Sequence, residues 1–410
     1  MKDKVNVKQL ALLLLLVLSG GKFLSLPAVL ANQIGHDSWL AVAFSFAFDA
    51  VGLAFLLWAI KLNKNNLGIS EILNKSLGKI ASKLLLSVFF VMFITRTIIL
   101  AMSCYQLFSV TFDVNTNWIL FVLPIVAFAS LCICLGFKAI ARMGQLLFVI
   151  ITLSLVALIA TPLFAADFGE LLPVAESGFG KILATSVDCG FWFSDYVFFY
   201  FVLDEIQLQK KENVFLPTFT AFVIGSILVV ATDAVFVALY GSFAKDMPLA
   251  MSKIGLFSVA ETTNGRWDWI TMSVWVLAVL IKMTVFVFCA HKCVGYVFEK
   301  NFSKINVPTV SVIAALLMAP LFVNEDAFMN KFVTYAKYAF YVAQYALPLV
   351  MTWSRHRLHK LPDELYTVPE VPQVLSQHHE PFPPHPLHGP EIHHSNFQAF
   401  PSVPVSRSLL

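Results

Sequence analysis

The chain has 410 residues, 58% of them hydrophobic and only 13% charged, with a formal net charge of +3 and a mean hydropathy of +0.77. A soluble core does not need that much apolar sequence, so the composition excludes a water-soluble globular enzyme and points to a membrane protein crossing the bilayer several times. Its 39 phenylalanines suit lipid-facing and helix-packing surfaces.

The first apolar stretch, residues 7–33, organises the expectation for the rest. Leu10–Leu18 is unbroken, Ser19-Gly20-Gly21-Lys22-Phe23-Leu24-Ser25-Leu26-Pro27 interrupts it, and apolar sequence resumes at Ala28. Backbone that leaves a helix inside hydrocarbon has to be satisfied by protein or by a water-lined cavity. A broken helix at membrane depth is therefore a pointer to a binding site near the midplane. Lys2, Lys4 and Lys8 precede the run without a convincing small-residue cleavage site after it, which reads as a retained helix and not a signal peptide.

Apolar runs follow at 38–60, 84–111, 117–136, 143–164, 181–203, 214–241, 267–298, 308–323 and 330–353, giving ten candidate spans with the first at 9–32. Lysine and arginine alternate between the connections: Lys61, Lys64, Lys75, Lys79 and Lys83 after the second span, Lys138 and Arg142 after the fourth, Lys210 and Lys211 after the sixth. Lys292, Lys300 and Lys304 end the eighth, and Arg355, Arg357 and Lys360 follow the tenth. The bias puts both termini in the cytoplasm. Only the loop 241–266, with Lys245, Lys253 and Arg266, departs from it.

Ile69, Ile72, Leu73, Leu77 and Ile80 recur at helical spacing with lysines opposite, predicting a short amphipathic helix on the membrane surface. A second such helix is expected at 248–260. The sixth span carries a break of its own, Ser186-Val187-Asp188-Cys189-Gly190 followed by Trp192-Phe193-Ser194-Asp195. Interruptions in spans one and six of ten fit a 5+5 inverted repeat of discontinuous helices. Residues 361–410 are rich in proline and histidine and poor in apolar clusters, predicting a disordered cytoplasmic tail behind a transmembrane domain at 1–360.

No phosphate loop, metal-ligand spacing or nucleophile elbow is present, so neither an enzyme nor a cofactor is expected. The six cysteines, at 104, 132, 134, 189, 289 and 293, read as buried thiols. The chemistry resides in ionisable residues at membrane depth, which are costly in lipid and mark a pathway or a site. These are Lys22, Asp49, Arg96, Asp188, Asp195, Asp233, Lys282 and His291. Lys22, Asp49, Arg96, Asp195 and Lys282 are the candidates for ion pairing or coupling, with Arg96 facing an acid of the sixth span and Lys282 facing Asp195 or Asp49. Lys22 holds a substrate carboxylate, replaces a bound cation or takes part in proton coupling. Substrate binding is expected from Ser19, Gly20, Gly21, Lys22 and Phe23 on one break and from Asp188, Cys189, Gly190, Phe191 and Phe193 on the other. Half-helix amides at the first break favour a carboxylate.

Several segments carry a family resemblance. They are the break ending Leu26-Pro27, the run from Ile69-Ser70-Glu71-Ile72-Leu73 to Gly78-Lys79, Arg96, and Ile140-Ala141-Arg142. Further on come Leu172-Pro173-Val174-Ala175-Glu176-Ser177-Gly178, Phe193-Ser194-Asp195, Gly265-Arg266-Trp267-Asp268 and Ile281-Lys282. Over about residues 5–355 the chain resembles the spore germinant-receptor B subunits, the GerAB-like permeases of the amino acid–polyamine–organocation superfamily. The resemblance implies ten helices, an amino-acid-type germinant held near the breaks, and a complex with A and C subunits and lipid in the inner membrane of an endospore. Nothing calls for a nucleic-acid partner. The sequence departs from that pattern at Asp195, where the family usually has Glu, at Gln145, where an acid is common, at Lys22, and in the Pro/His tail.

Overall fold

Gly20 and Gly21 end a helix that is apolar on every face from Leu10 to Leu18, and the computed structural model of the chain shows why the helix must end there. The structure describes residues 5–62, 68–112, 118–206, 213–247, 249–256, 267–298 and 332–358. The expected span at 308–323 and the tail at 361–410 lie outside the described residues, as does 257–266.

The helices are α1 (Val7–Ser19), α2 (Lys22–Ile34), α3 (Ser38–Leu62), α4 (Ile69–Leu77), α5 (Lys79–Phe112), α6 (Trp118–Leu135) and α7 (Phe137–Ala160). They continue with α8 (Phe179–Asp188), α9 (Phe198–Phe201), α10 (Phe215–Tyr240), α11 (Ala250–Leu256), α12 (Trp267–Phe298) and α13 (Thr334–Leu358). Among the described residues there is no strand; Val5 and Ile206 form one isolated parallel bridge.

Leu10, Leu13, Leu14, Leu16, Val17 and Leu18 of α1 are fully buried. A helix apolar all round belongs in the interior, and α1 packs against α7, α10 and α12. Around it α5 packs on α12 and α10 on α3, while α13 lies against α3, α4 and α5.

Five stretches of the described residues are long and apolar enough to cross a membrane: Lys22–Lys61, Lys79–Ser109, Phe137–Phe164, Phe215–Asp246 and Met272–Phe298. Val7–Ser19 and Val122–Leu135 are shorter apolar helices. The expected tenth span, in α13, is not among these; its run is diluted by Lys337, Gln344 and four tyrosines, of which Tyr341 and Tyr345 contact the second break.

The predicted amphipathic helix forms as α4, burying Ile69, Ile72 and Leu73. Ile80 does not belong to it. Gly78, at φ +81°, ends α4, and Ile80 opens α5 with its side chain 87% exposed. Of the second expected surface helix, α11 is the described part.

Candidate functional site

Glycine at position 20 is required by packing. A Cβ there would sit 3.0 Å from the carbonyl oxygen of Ala278 in α12, a backbone atom that cannot swing aside. At Gly21 a Cβ would meet the Leu100 methyl at 2.5 Å. The chain thus passes α5 and α12 at close range where α1 gives way to α2. The freed backbone is satisfied locally. Gly20 N–H still donates to Leu16 O at 2.9 Å, so it is not the open anion-binding amide expected from the sequence. Ser19 Oγ donates back to Leu15 O at 3.0 Å. Lys22 Nζ donates to Leu18 O at 3.2 Å.

The second break is longer. After α8 the chain makes a 3₁₀ turn at Gly190–Trp192, an extended residue at Phe193, a left-handed residue at Ser194, and a second 3₁₀ turn at Asp195–Val197 before α9. Its carbonyls are met by side chains from other helices. Arg96 Nη2, from α5, donates to Phe191 O at 2.8 Å and Phe193 O at 2.6 Å. Gln344 Nε2, from α13, donates to Gly190 O at 3.3 Å. In a bilayer no water stands ready for these groups, so such partners are what permit the irregular backbone. Gly190 is needed for approach: any Cβ there would overlap the ring of Tyr341 on α13.

The two breaks meet at Asp195. Its carboxylate is 1% exposed and is approached by three cations from three elements. Lys22 of α2 pairs with Oδ2. Lys282 of α12 reaches Oδ2 at 2.9 Å, and Arg96 of α5 reaches Oδ1 at 3.5 Å. Arg96 also donates to Gln344 Oε1 at 3.1 Å. Aromatic rings wall the cluster. Lys22 Nζ lies 5.4 Å from the Phe193 ring centroid and 5.7 Å from that of Phe46. Arg96 lies 5.4 Å from Phe191, and Lys282 lies 5.6 Å from Phe286. Such contacts favour a cation on a ring face most where water is excluded.

Asp49 does not take the ion-pairing role that its sequence position suggests. It accepts Ser194 N–H at 2.6 Å, Ser194 O–H at 2.8 Å and Tyr345 O–H at 3.0 Å. Among the described residues no cation pairs with it. Lys282 pairs with Asp195, leaving Asp49 as a hydrogen-bonding clamp on the second break. The reason is local: Ser194 has φ +60°, a conformation uncommon for a residue with a side chain, and a buried acceptor on both its donors holds it there.

A cavity of about 20 Å³ lies at the junction. Its polar wall is Arg96, Asp195 and Lys282, and Gly21, Phe191 and Trp192 bring in both breaks. Ile99, Leu100 and Phe286 complete it. That volume is room for about one water.

Of the expected binding residues, Gly21 and Phe191 line this cavity. Lys22 and Phe193 stand behind it, Lys22 paired with Asp195 and the Phe193 carbonyl held by Arg96. Ser19, Phe23 and Cys189 are buried without lining it. Asp188 leaves the site altogether. As the last residue of α8 its side chain is 50% exposed and pairs with Lys337 at 3.0 Å. Asp233 is buried with Ser38 O–H donating to it at 2.6 Å, and His291 sits half-buried toward the end of α12. Sequence reasoning missed Gln344, Tyr341 and Tyr345. The signal was present, since with Lys337 they recur at 337, 341, 344 and 345, one face of a helix. Among the described residues no group of three or more His, Cys, Asp or Glu side chains converges on a metal position.

The family model described as "Spore germination protein" matches residues 4–326. No curated protein matches the chain. Among solved structures the chain is similar to a mutant of the manganese transporter of Eremococcus coleocola, with a TM-score of 0.52 and 10% identity over 85% of this chain and 76% of that one. The same transporter in complex with an aromatic bis-isothiourea substituted compound aligns with a TM-score of 0.49 and 12% identity, again over 85% and 76%. The first of these, at 10% identity, is a likeness of fold.

Proposed function

This chain belongs to the spore germination protein family, and on that premise we propose that it is the permease-like subunit of a nutrient germinant receptor, clasping a small carboxylate-bearing germinant of the amino acid class between its two helix breaks. The chain is an integral membrane protein of permease type. Its membrane is the inner membrane of the spore, its termini are cytoplasmic by the distribution of lysine and arginine, and its partners are the A and C subunits of the receptor.

The observation that carries this reading is the gathering of Lys22, Arg96 and Lys282 around Asp195. One carboxylate ties α2, α5 and α12 to the unwound segment between α8 and α9. A ligand entering the adjacent cavity competes for those cations, so its arrival bears on four elements at once. A ligand shifts a conformational equilibrium by its differential affinity for the two states, and this junction is where such a difference is largest. A cavity with room for about one water admits a germinant only if lining side chains such as Phe191, Trp192 and Leu100 move aside.

The test is ligand-dependent stabilisation of the purified protein in nanodiscs against a panel of amino acids. A ligand at about 100 times its Kd contributes about 2.7 kcal/mol, a shift of several degrees. The stabilising amino acid should lose its effect in Lys282→Met, while the variant keeps its own cooperative melt. Stabilisation indifferent to Lys282 contradicts the site. Concentrative uptake of that amino acid by the isolated chain in proteoliposomes, driven by a proton gradient, would replace the receptor reading with a stand-alone proton-coupled permease.

A further inference from the structure

Among the described residues Arg96 has hydrogen-bonding partners on only two elements. Phe191 O at 2.8 Å, Phe193 O at 2.6 Å and Asp195 Oδ1 at 3.5 Å all belong to the second break. Moving Phe191 or Trp192 aside disturbs these acceptors first. The remaining partner, Gln344 Oε1 at 3.1 Å, comes from α13. That helix has anchors outside the break: it packs on α3, α4 and α5, and its Tyr345 hydroxyl donates to Asp49 of α3 at 3.0 Å.

Gln344 is fully buried, and its amide has two duties. Oε1 accepts from Arg96 Nη2 while Nε2 donates to Gly190 O at 3.3 Å. Turned over, the amide would set donor against donor and oxygen against oxygen, so its neighbours fix its orientation. A guanidinium is a rigid planar fork, and a partner at Nη2 constrains where Nη1 and Nε point. Those two nitrogens have capacity to spare. Nη1 has its 3.5 Å contact with Asp195, and Nε is buried with no partner.

From this we infer that Gln344 is a positioning residue for the germinant: it keeps the Arg96 guanidinium turned to the cavity when the walls of the second break move aside. The inference rests on the reading that a germinant carboxylate is received beside Arg96 and Lys282, and it adds α13 to that site. A binding group held in place before its ligand arrives loses less freedom on binding. Without Gln344, an Arg96 released by Phe191 O and Phe193 O follows Asp195 alone. Leucine at 344 fills similar space but meets neither Arg96 nor Gly190 O. Glutamate keeps the shape and still accepts from Arg96. It also gives Arg96 a second carboxylate, which competes with the germinant's.

Equilibrium binding of the standard amino acids to the full chain in nanodiscs tests this, with the melting temperature of each protein measured alongside. Gln344→Leu should raise the Kd of the best-binding amino acid at least tenfold. Gln344→Glu should melt above Gln344→Leu, because a carboxylate among three cations is compensated, and should still raise that Kd at least tenfold. A purely structural role makes binding follow stability. Binding by Gln344→Glu within about threefold of the unmodified chain therefore overturns the inference, as does binding that falls in step with melting temperature across the three proteins. Where Lys282→Met still loses that amino acid, the site reading survives such a result. Binding indifferent to Lys282→Met, or no saturable binding of any amino acid, overturns both. If Gln344→Leu fails to fold, the Kd of Gln344→Glu against the unmodified chain decides.

Discussion

Asp49 of α3 accepts both the amide and the hydroxyl of Ser194, at 2.6 and 2.8 Å, and so fixes the one left-handed residue of the second break. Replacing Asp49 by Ala orphans the buried Ser194 amide and leaves the Ser194 and Tyr345 hydroxyls only each other, 3.4 Å apart, at a cost of about 1–3 kcal/mol for each group left unsatisfied. Thermal unfolding should show a large loss for Asp49→Ala. Ser194→Gly should be far milder than Ser194→Val, because glycine adopts φ +60° without strain. Equal loss in the two Ser194 variants would mean that the conformation there is not what Asp49 maintains.

Asp195 stands among three cations, so removing its charge should be more damaging than removing any one of theirs. Breaking a buried pair by deleting one partner costs about 3–5 kcal/mol, and Asp195→Asn leaves Lys22, Lys282 and Arg96 facing one another. Combining Asp195→Asn with Lys282→Met should recover part of that loss, measured as a melting temperature above that of Asp195→Asn alone. Strict additivity of the two changes would show that they do not interact.

The two glycines of the first break should separate by what they touch. Gly20→Ala presses its Cβ on the Ala278 carbonyl, a backbone atom, and should cost about 1–3 kcal/mol as overpacking does. Gly21→Ala presses on the end of Leu100, a side chain that can be shortened. The double variant Gly21→Ala with Leu100→Ala should be more stable than Gly21→Ala alone, whereas Leu100→Ala should do nothing for Gly20→Ala. Melting curves of the five proteins decide it.

How much of this was legible beforehand follows from the range of each interaction. The breaks were visible because Gly-Gly-Lys and Asp-Cys-Gly interrupt apolar runs, and hydropathy is a local signal. The participation of Arg96, Asp195 and Lys282 was visible because charges at membrane depth are rare. Their convergence on one carboxylate was not, since it depends on how α5, α12 and the second break are placed in space. Asp49 and Asp188 show the limit most clearly. Both are acids in apolar sequence, yet one is clamped to Ser194 and the other faces Lys337 at the exposed end of α8. Gln344 and Tyr345 escaped because uncharged polar residues in a span carry little weight one at a time. Only their spacing on α13 marks them.

At the end of the bundle where the chain enters α1, Val5 N–H donates to Glu205 O at 2.9 Å. Lys292 of α12 pairs with Asp204 and Glu205 at 2.6 and 2.7 Å. These groups are only partly buried, so Lys292→Met should cost about 1 kcal/mol or less. Hydrogen exchange should register it as a several-fold faster opening at Val5, with the amides in the middle of α1 unchanged. Unchanged exchange at Val5 would show that the ion pairs do not secure this end.

Most depends on where a germinant's carboxylate comes to rest. A cryo-EM map of the protein with a bound germinant, resolved well enough to place side chains, should show the carboxylate between the two breaks, within hydrogen-bonding distance of Arg96 and Lys282 and with Phe191 or Trp192 displaced. A germinant seated elsewhere, with Lys22, Arg96 and Lys282 still closed on Asp195, would contradict it.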